Sequence, residues 1–309
     1  MDINLFSLME TFGTEDECRK VLEELRWPNG VACPRCGSLK HQHDTKRNTY
    51  DCAGCGYQFS VLAGSVFHDT KLPLRKWFVA TYLMCESKKG MSANQLKRTL
   101  GVSYKTAWYL CHRIRVAMGD VARSPLSGTV ETDETFVGGE YRYSRTDRRP
   151  DGSPRRGPRP DSNKTIVLGA LQRGGDVRFR ITGDRAAKTL KTFLDSEVAD
   201  AADAIYTDDW GGYRTITFDE DTRHETVNHS AKEYVRGDVH TNGIESVWSL
   251  LKRSIIGSYH QVSAKHLDLY LDELEWRFNN RDNASLFPDT LKALLSAETL
   301  EYKALIAAE

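Results

Sequence analysis

No run of apolar residues in this 309-residue chain approaches the roughly 18 to 20 positions a helix needs to cross a bilayer. The opening MDINLFSLME lacks both a basic n-region and a continuous apolar h-region, so the expected location is the cytoplasm. Net charge is missing as well: 43 Lys+Arg balance 43 Asp+Glu, which over the whole chain speaks against a polyanionic partner. There is no internal repeat. With 39% hydrophobic and 28% charged residues, neither a disordered chain nor a fibre fits, and the length allows two or three domains.

The zero net charge conceals an uneven distribution. Residues 1–123 hold 18 Lys+Arg against 12 Asp+Glu, and the remainder holds 25 against 31. Between Lys71 and Arg123, 11 basic residues face only Glu86 and Asp120. A basic segment of this kind points to a DNA-gripping N-terminal part, although a merely solvated basic surface would look the same without a motif.

Hydrophobic periodicity gives helix over 1–27, with Pro28-Asn29-Gly30 closing it, and again over 73–118 with breaks near Lys89-Gly90 and at Gly101. Ser124-Pro125 marks a boundary. Strand patterns follow at 129–134, 165–171, 177–182 and 204–207, with a helix over 185–199, a short strand near 225–228, and helix from 242 onward. The order is α/β and compatible with a ribonuclease H-like domain, as with several other folds. The expected domains are an N-terminal helix and metal-binding ribbon over 1–70, a helix-turn-helix over 71–123, and a catalytic domain over 124–309. The last carries an insertion at 138–163 with seven arginines, too rich in Pro, Gly and Ser to bury a core and read as a mobile loop. Contact with DNA and simple solvation explain it equally well.

Seven cysteines is an odd number. Cys33-Pro-Arg-Cys36 and Cys52-Ala-Gly-Cys55 form two CxxC knuckles with fifteen residues between them, and such pairs in a cytoplasmic chain mean metal before disulfide. Four soft thiolates suit tetrahedral Zn²⁺ with no open position. Gly37 and Gly56 follow the second Cys of each knuckle, where a positive φ is easily met. A redox dithiol would want one CxxC on a βαβ unit, which neither pair has. His41 and His43 read as surface residues, and Cys18, Cys85 and Cys111 as buried small hydrophobes.

Residues 92–115 contain two helices, each opened by a Ser (Ser92, Ser103) and joined through Gly101. Leu96, Leu100, Val102, Ala107, Leu110 and Ile114 would form the core between them. That leaves Tyr104, Lys105, Thr106, His112 and Arg113 to meet DNA from the second helix, while a plain helical hairpin shares the apolar pattern.

Phosphodiester cleavage and transfer benefit from two divalent ions held by carboxylates on rigid elements. Asp133 lies in the first strand, Asp208 follows the apolar Ala204-Ile-Tyr-Thr207, and Glu245 opens the helix beginning at Asn242. On that helix Ile244, Val247, Trp248, Leu251 and Ile255 make the buried stripe, and Asn242, Glu245, Ser249 and Lys252 an adjacent face. Lys252 sits two turns past Glu245, roughly 10 Å, where a cation could hold phosphate. Acidic residues are abundant, and Glu131, Glu134 and Asp209 compete within a residue or two.

Four segments carry a resemblance that chooses among them: GSVFHDTKLPLRKWF (64–78), ETDETFVGG (131–139), YTDDWGGY (206–213) and HTNGIESVWSLLKRSIIGSYHQVSAKHLDLYLDELEWRFNNR (240–281). The chain resembles the insertion-sequence transposases of family fifteen ninety-five (ISXO-two-like) over nearly its whole length. The resemblance implies a ribonuclease H-like domain in which Asp133, Asp208 and Glu245 hold two Mg²⁺ or Mn²⁺ ions and Lys252 trails them. Some relatives use Asn for the third acid, which leaves Asn242 a lesser candidate. The implied activity is binding of element ends, cleavage, and transfer of 3′-OH ends to target DNA. The implied partners are double-stranded DNA, the nucleoid, and a second copy of the chain bridging two ends. A zinc-ribbon and helix-turn-helix transcription regulator, or a ribonuclease H-like nuclease without strand transfer, are the rival readings.

Overall fold

Two capped helices, not one, begin the chain. Asn4 accepts the N–H groups of Phe6 and Ser7 to open α1 (Leu5–Thr11). Thr14 and Glu17 form a reciprocal capping box that opens α2 (Glu15–Arg26). The expected continuous helix breaks here because the Thr14 hydroxyl captures the Glu17 N–H while the Glu17 carboxylate accepts the Thr14 N–H. This computed structural model describes residues 3–119, 121–138, 164–200, 202–218, 222–228, 231 and 233–307. Beyond Gly138, the insertion expected at 138–163 lies outside the described residues.

The chain divides into two compact units, Met1–Arg123 with Gly257–Tyr259 and Leu269–Glu309, and Ser124–Ile256 with His260–Asp268. In the first, a three-stranded antiparallel ribbon, β1 (His41–Asp44), β2 (Thr49–Cys52) and β3 (Gln58–Phe59), follows α2. Next come α3 (Leu74–Glu86), α4 (Ala93–Leu100) and α5 (Tyr104–Gly119). Ser92 and Ser103 cap α4 and α5 through the N–H groups of Gln95 and Thr106. Gly101 ends α4 at φ +61°, the left-handed conformation glycine adopts without strain.

The boundary drawn at 124–309 needs correction. The helix α10 (Leu286–Ser296) buries Phe287, Leu291, Leu294 and Leu295 in one core with Leu8, Cys18, Leu22, Phe78 and Ile114. The final helices therefore complete the N-terminal unit, and 1–70 and 71–123 share a core with them. Periodicity revealed α10's apolar stripe but not its partner. The pair Arg115–Glu273, 2.7 Å apart and almost fully buried, ties α5 to α9 (Leu267–Asn279) within this unit.

In the second unit, five strands lie in the order β6-β5-β4-β7-β8: β4 (Thr129–Val137), β5 (Thr165–Gln172), β6 (Val177–Thr182), β7 (Ala204–Asp208) and β8 (Arg223–Val227). The first three are antiparallel neighbours; β7 pairs parallel with β4, and β8 parallel with β7. This is the ribonuclease H-like arrangement, with a long antiparallel meander first and parallel strands added on its far side. Alternation along β4 sends Val130 to one face of the sheet and Glu131 and Asp133 to the other, and both faces are covered by helices. Val130, Leu168 and Ala170 pack against Leu190, Phe193 and Leu194 of α6 (Ala187–Glu197). On the opposite face α8 (Asn242–Ser254) lies across β4 and β5. A short helix, α7 (Gly211–Arg214), and a two-stranded hairpin, β9 (Val235–Arg236) with β10 (Val239–His240), were not expected from periodicity.

Candidate active site and metal centres

The ribbon brings its four cysteines together. All four Sγ atoms lie within 4.8 Å of one another, with Cys33–Cys55 at 3.8 Å and Cys36–Cys52 at 3.5 Å. A tetrahedron with Zn–S bonds of about 2.3 Å has edges of about 3.8 Å, so the donor set fits a four-thiolate ion. Gly37 (φ +72°) and Gly56 (φ +69°) turn the two knuckles in the left-handed region and donate their N–H groups to the Cys33 and Cys52 carbonyls. His41 and His43 are exposed and contact the Tyr50 ring from outside. Cys18, Cys85 and Cys111 are buried, and burial pushes their thiols up to about 12, 12 and 11.

The helix pair is only partly as expected. Tyr104 and Lys105 are exposed and Thr106 half-buried at the start of α5, with the Lys105 ammonium 4.3 Å from the centre of the Tyr302 ring. His112 and Arg113, expected to face DNA, instead point into the core. His112 is wholly buried, and Arg113 donates to the His68 carbonyl at 2.7 Å while packing over Trp77 and Tyr109. Both follow the Ala107, Leu110, Ile114 stripe around the helix, and that stripe is wider than six apolar residues suggested because α3 and the C-terminal segment also cover α5.

The carboxylate site grows from strand register. β4 and β7 pair Glu131 with Tyr206, and two residues further each strand reaches Asp133 and Asp208. On the α8 face, Asp133 Oδ2 accepts the Trp248 indole N–H at 2.9 Å. That ring fits only because residue 169 is glycine: a Cβ there would lie 2.4 Å from Trp248 Cη2. Glu131, also on this face, is buried between the Arg173 Nε at 2.7 Å and the backbone N–H of Ile244 at 3.0 Å. It pins the first turn of α8 and is removed from metal-ligand candidacy by that pairing.

Asp133, Glu134 and Asp208 each place a carboxylate oxygen within 4.8 Å of the others, a span that divalent ions about 4 Å apart can bridge. Glu134, set aside by the resemblance, thus belongs to the cluster. It pairs with Arg185 from the α6 face, and its Oε2 is buried with no hydrogen-bond partner among the described residues. Burial, then the nearby Glu134 and Asp208 charges, push the Asp133 carboxyl up to about 7. Burial likewise raises Glu134. Crowded, raised carboxylates beside an unpartnered oxygen fit a cation-binding site.

Glu245 is not among the three. It lies exposed on α8, where its Oε1 accepts from Thr241 Oγ1 at 3.3 Å. Asn242, Ser249 and Lys252 are exposed with it, the outward face that the helix pattern indicated. Asp209, the neighbour of Asp208, is held by Arg214 and by Asn228 Nδ2 at 2.9 Å, and the Arg214 hydrogen bonds lower its carboxyl. Sequence reasoning missed the roles of Glu134, Arg185 and Trp248; the adjacent acids of Asp133-Glu134 were the available signal.

Residues 125–279 match the ISXO2-like transposase domain of DDE transposases, and residues 13–58 match the transposase zinc-ribbon domain. A protein of Halobacterium salinarum, named an uncharacterized protein in transposable element ISH50, is 31% identical over 275 residues, 87% of this chain and 92% of that one. An uncharacterized transposase-like protein of Haemophilus influenzae is 33% identical over 78 residues, 25% of this chain and 61% of that one. The crystal structure of the Mos1 strand transfer complex aligns with 71% of this chain and 74% of its own at 12% identity and a TM-score of 0.29. With both domain matches in order and a relative aligned along nearly its full length, this chain belongs to the IS1595 family of DDE transposases, metal-dependent enzymes that cut and join DNA.

Proposed function

We propose that the chain binds the ends of its insertion sequence, cleaves them, and transfers the resulting 3′-OH ends to target DNA at one carboxylate site. The observation that carries this reading is the convergence of Asp133 and Asp208 from two neighbouring strands, with a third acid within reach. Two Mg²⁺ or Mn²⁺ ions, when bound, would supply activation of the attacking oxygen and stabilisation of the leaving one. Asp133 and Asp208 hold that site. Trp248 fixes the Asp133 carboxylate through its indole N–H, and Glu131 anchors the helix on which Trp248 stands.

Glu245 is the third ligand in this reading, because it begins the helix that Trp248 docks against Asp133. A second reading, with Glu134 as the third, is favoured by its place in the cluster. Lys252 lies two turns along the outward face of α8, where it meets the phosphates of the bound strand. Tyr104, Lys105 and Thr106 contact element-end DNA from α5, the ribbon cysteines hold Zn²⁺, and a second copy bridges the two ends in the cytoplasm.

The test uses DNA flanking the gene as substrate, with cleavage and strand transfer measured separately in Mg²⁺ and Mn²⁺. Loss of both steps in Asp133→Asn and Asp208→Asn, with end binding retained, is expected. Loss in Glu245→Gln but not in Glu134→Gln selects Glu245 as the third ligand; the reverse selects Glu134. Cleavage without joining would indicate a nuclease, and end binding with no metal-dependent cleavage a regulator.

A further inference from the structure

Beside the carboxylate cluster lies a group of side chains that metal binding does not explain. Trp210, two residues after Asp208, is 40% exposed, and Phe136, two residues after Glu134, is 42% exposed. Each ring offers a flat π-face that a cation or another ring can meet. Arg185 Cζ lies 4.0 Å from the centre of the Trp210 ring and 5.1 Å from that of Phe136, while its guanidinium holds Glu134. The Trp210 backbone N–H donates to Asp208 Oδ1 at 3.1 Å, tying the loop to the cluster. A Cβ at residue 212 would lie 3.0 Å from the Arg185 carbonyl and 3.1 Å from Trp210 Cδ1, so Gly212 permits this close approach. The aromatics are thus anchored on the α6 side of the cluster, with substantial ring surface still open to solvent.

Because the Trp210 backbone is tied to Asp208, a DNA strand whose phosphate met the carboxylates would carry a neighbouring base toward this patch. A base in a duplex has both faces stacked already; an unpaired base has a face to offer. We propose that Trp210, with Arg185 and Phe136 packed against it, is a stacking platform for an unpaired nucleobase next to the phosphate held at the carboxylate cluster. The Arg185 cation, set against the ring and tied to Glu134, keeps the indole in place when the base arrives. The proposal rests on the DDE reading of the cluster and adds to it a preference for DNA opened beside the scissile phosphate.

The experiment uses full-length protein and two oligonucleotide probes, a forked duplex with 2-aminopurine in the unpaired strand beside the junction and the same sequence fully paired, with Ca²⁺ as the divalent ion. The wild-type protein should quench the 2-aminopurine in the fork and bind the fork more tightly than the duplex. Trp210→Ala should lose the quench and weaken fork binding about five- to a hundred-fold, the range for loss of one base–aromatic stack, with duplex binding little changed. Trp210→Phe should retain most of both. Thermal unfolding checks that Trp210→Ala is folded; if it is not, the Trp210→Phe variant and a scan of the 2-aminopurine along the strand decide. Undiminished quench in folded Trp210→Ala, or quench only far from the junction, overturns the platform. Nicking of supercoiled plasmid in Mn²⁺ by the wild type and Asp133→Asn is measured alongside: equal nicking by both would overturn the DDE reading itself, whatever the fork binding shows.

Discussion

The cysteine cluster of the ribbon and the carboxylate cluster of the sheet both gather anionic ligands, but they come from different depths of the structure. The four thiols come from two knuckles of one small antiparallel ribbon, each knuckle closed by its own glycine turn and carbonyl hydrogen bond. Asp133 and Asp208 come from strands 75 positions apart in the chain, and their neighbourhood is built by α6, α8 and the strands of the sheet. The ribbon gives a tetrahedral set with no open position, suited to an ion that holds structure. The sheet gives a rigid, partly exposed group of acids with one raised to about 7, suited to ions that must also accept substrate oxygens.

The sharpest way to break this contrast is to neutralise one acid. Asp133→Asn or Asp208→Asn should take cleavage and joining to the limit of detection while the ribbon keeps its zinc, read by gel assay and by metal analysis. Loss of zinc in either variant would mean that the two sites are not independent.

Removing a thiol should act in the opposite direction. Cys36→Ser should release the zinc and unfold residues 33–55, because a structural zinc site contributes on the order of 10 kcal/mol of folding free energy. The sheet unit should stay folded. Hydrogen exchange resolved by peptide reads both, and unchanged ribbon protection with one bound zinc would refute the assignment.

The raised Asp133 carboxyl gives the sheet a pH signature of its own. A folded-state value near 7, above the usual 3.8, means that the folded protein binds the proton more tightly than the unfolded chain does. Metal-free stability should therefore be greatest below about pH 4 as far as this group is concerned, and fall as pH rises to about 7. Asp133→Asn should flatten the decline, and Mg²⁺ should offset it at neutral pH by neutralising the cluster. Chemical denaturation at several pH values with and without EDTA measures it. A decline that persists unchanged in Asp133→Asn would assign the linkage to another group.

The smallest effect separates the exposed start of α5 from its buried middle. Lys105→Ala should weaken end binding modestly and reduce the slope of log affinity against log salt by about one. Arg113→Ala should instead lower the thermal midpoint, since it removes a buried hydrogen bond to the His68 carbonyl and two ring contacts. A salt slope changed by Arg113→Ala and not by Lys105→Ala would place Arg113, and not Lys105, against the DNA.

Local features were legible because their causes are local. The CxxC spacing, the serine caps at 92 and 103, the left-handed Gly101 and the strands of the sheet all follow from residues within a few positions of one another. The α8 stripe of Ile244, Val247, Trp248 and Leu251 was readable for the same reason. Asp133 and Asp208 were nameable only through resemblance, because the sequence shows many acids with the same local context.

What the sequence by itself determined is most of the longer helices and strands and the two CxxC knuckles of the ribbon, since caps, turns and period act over a few residues at a time. Tertiary structure alone decided that α10 completes the N-terminal core, that His112 and Arg113 are buried, and that Glu131 is consumed by Arg173 and Ile244. It also decided that Glu134 joins Asp133 and Asp208. The reason is the same in each case: whether a side chain meets solvent, core or another charge depends on which distant element covers it, and covering is fixed by packing between elements, which no local period encodes.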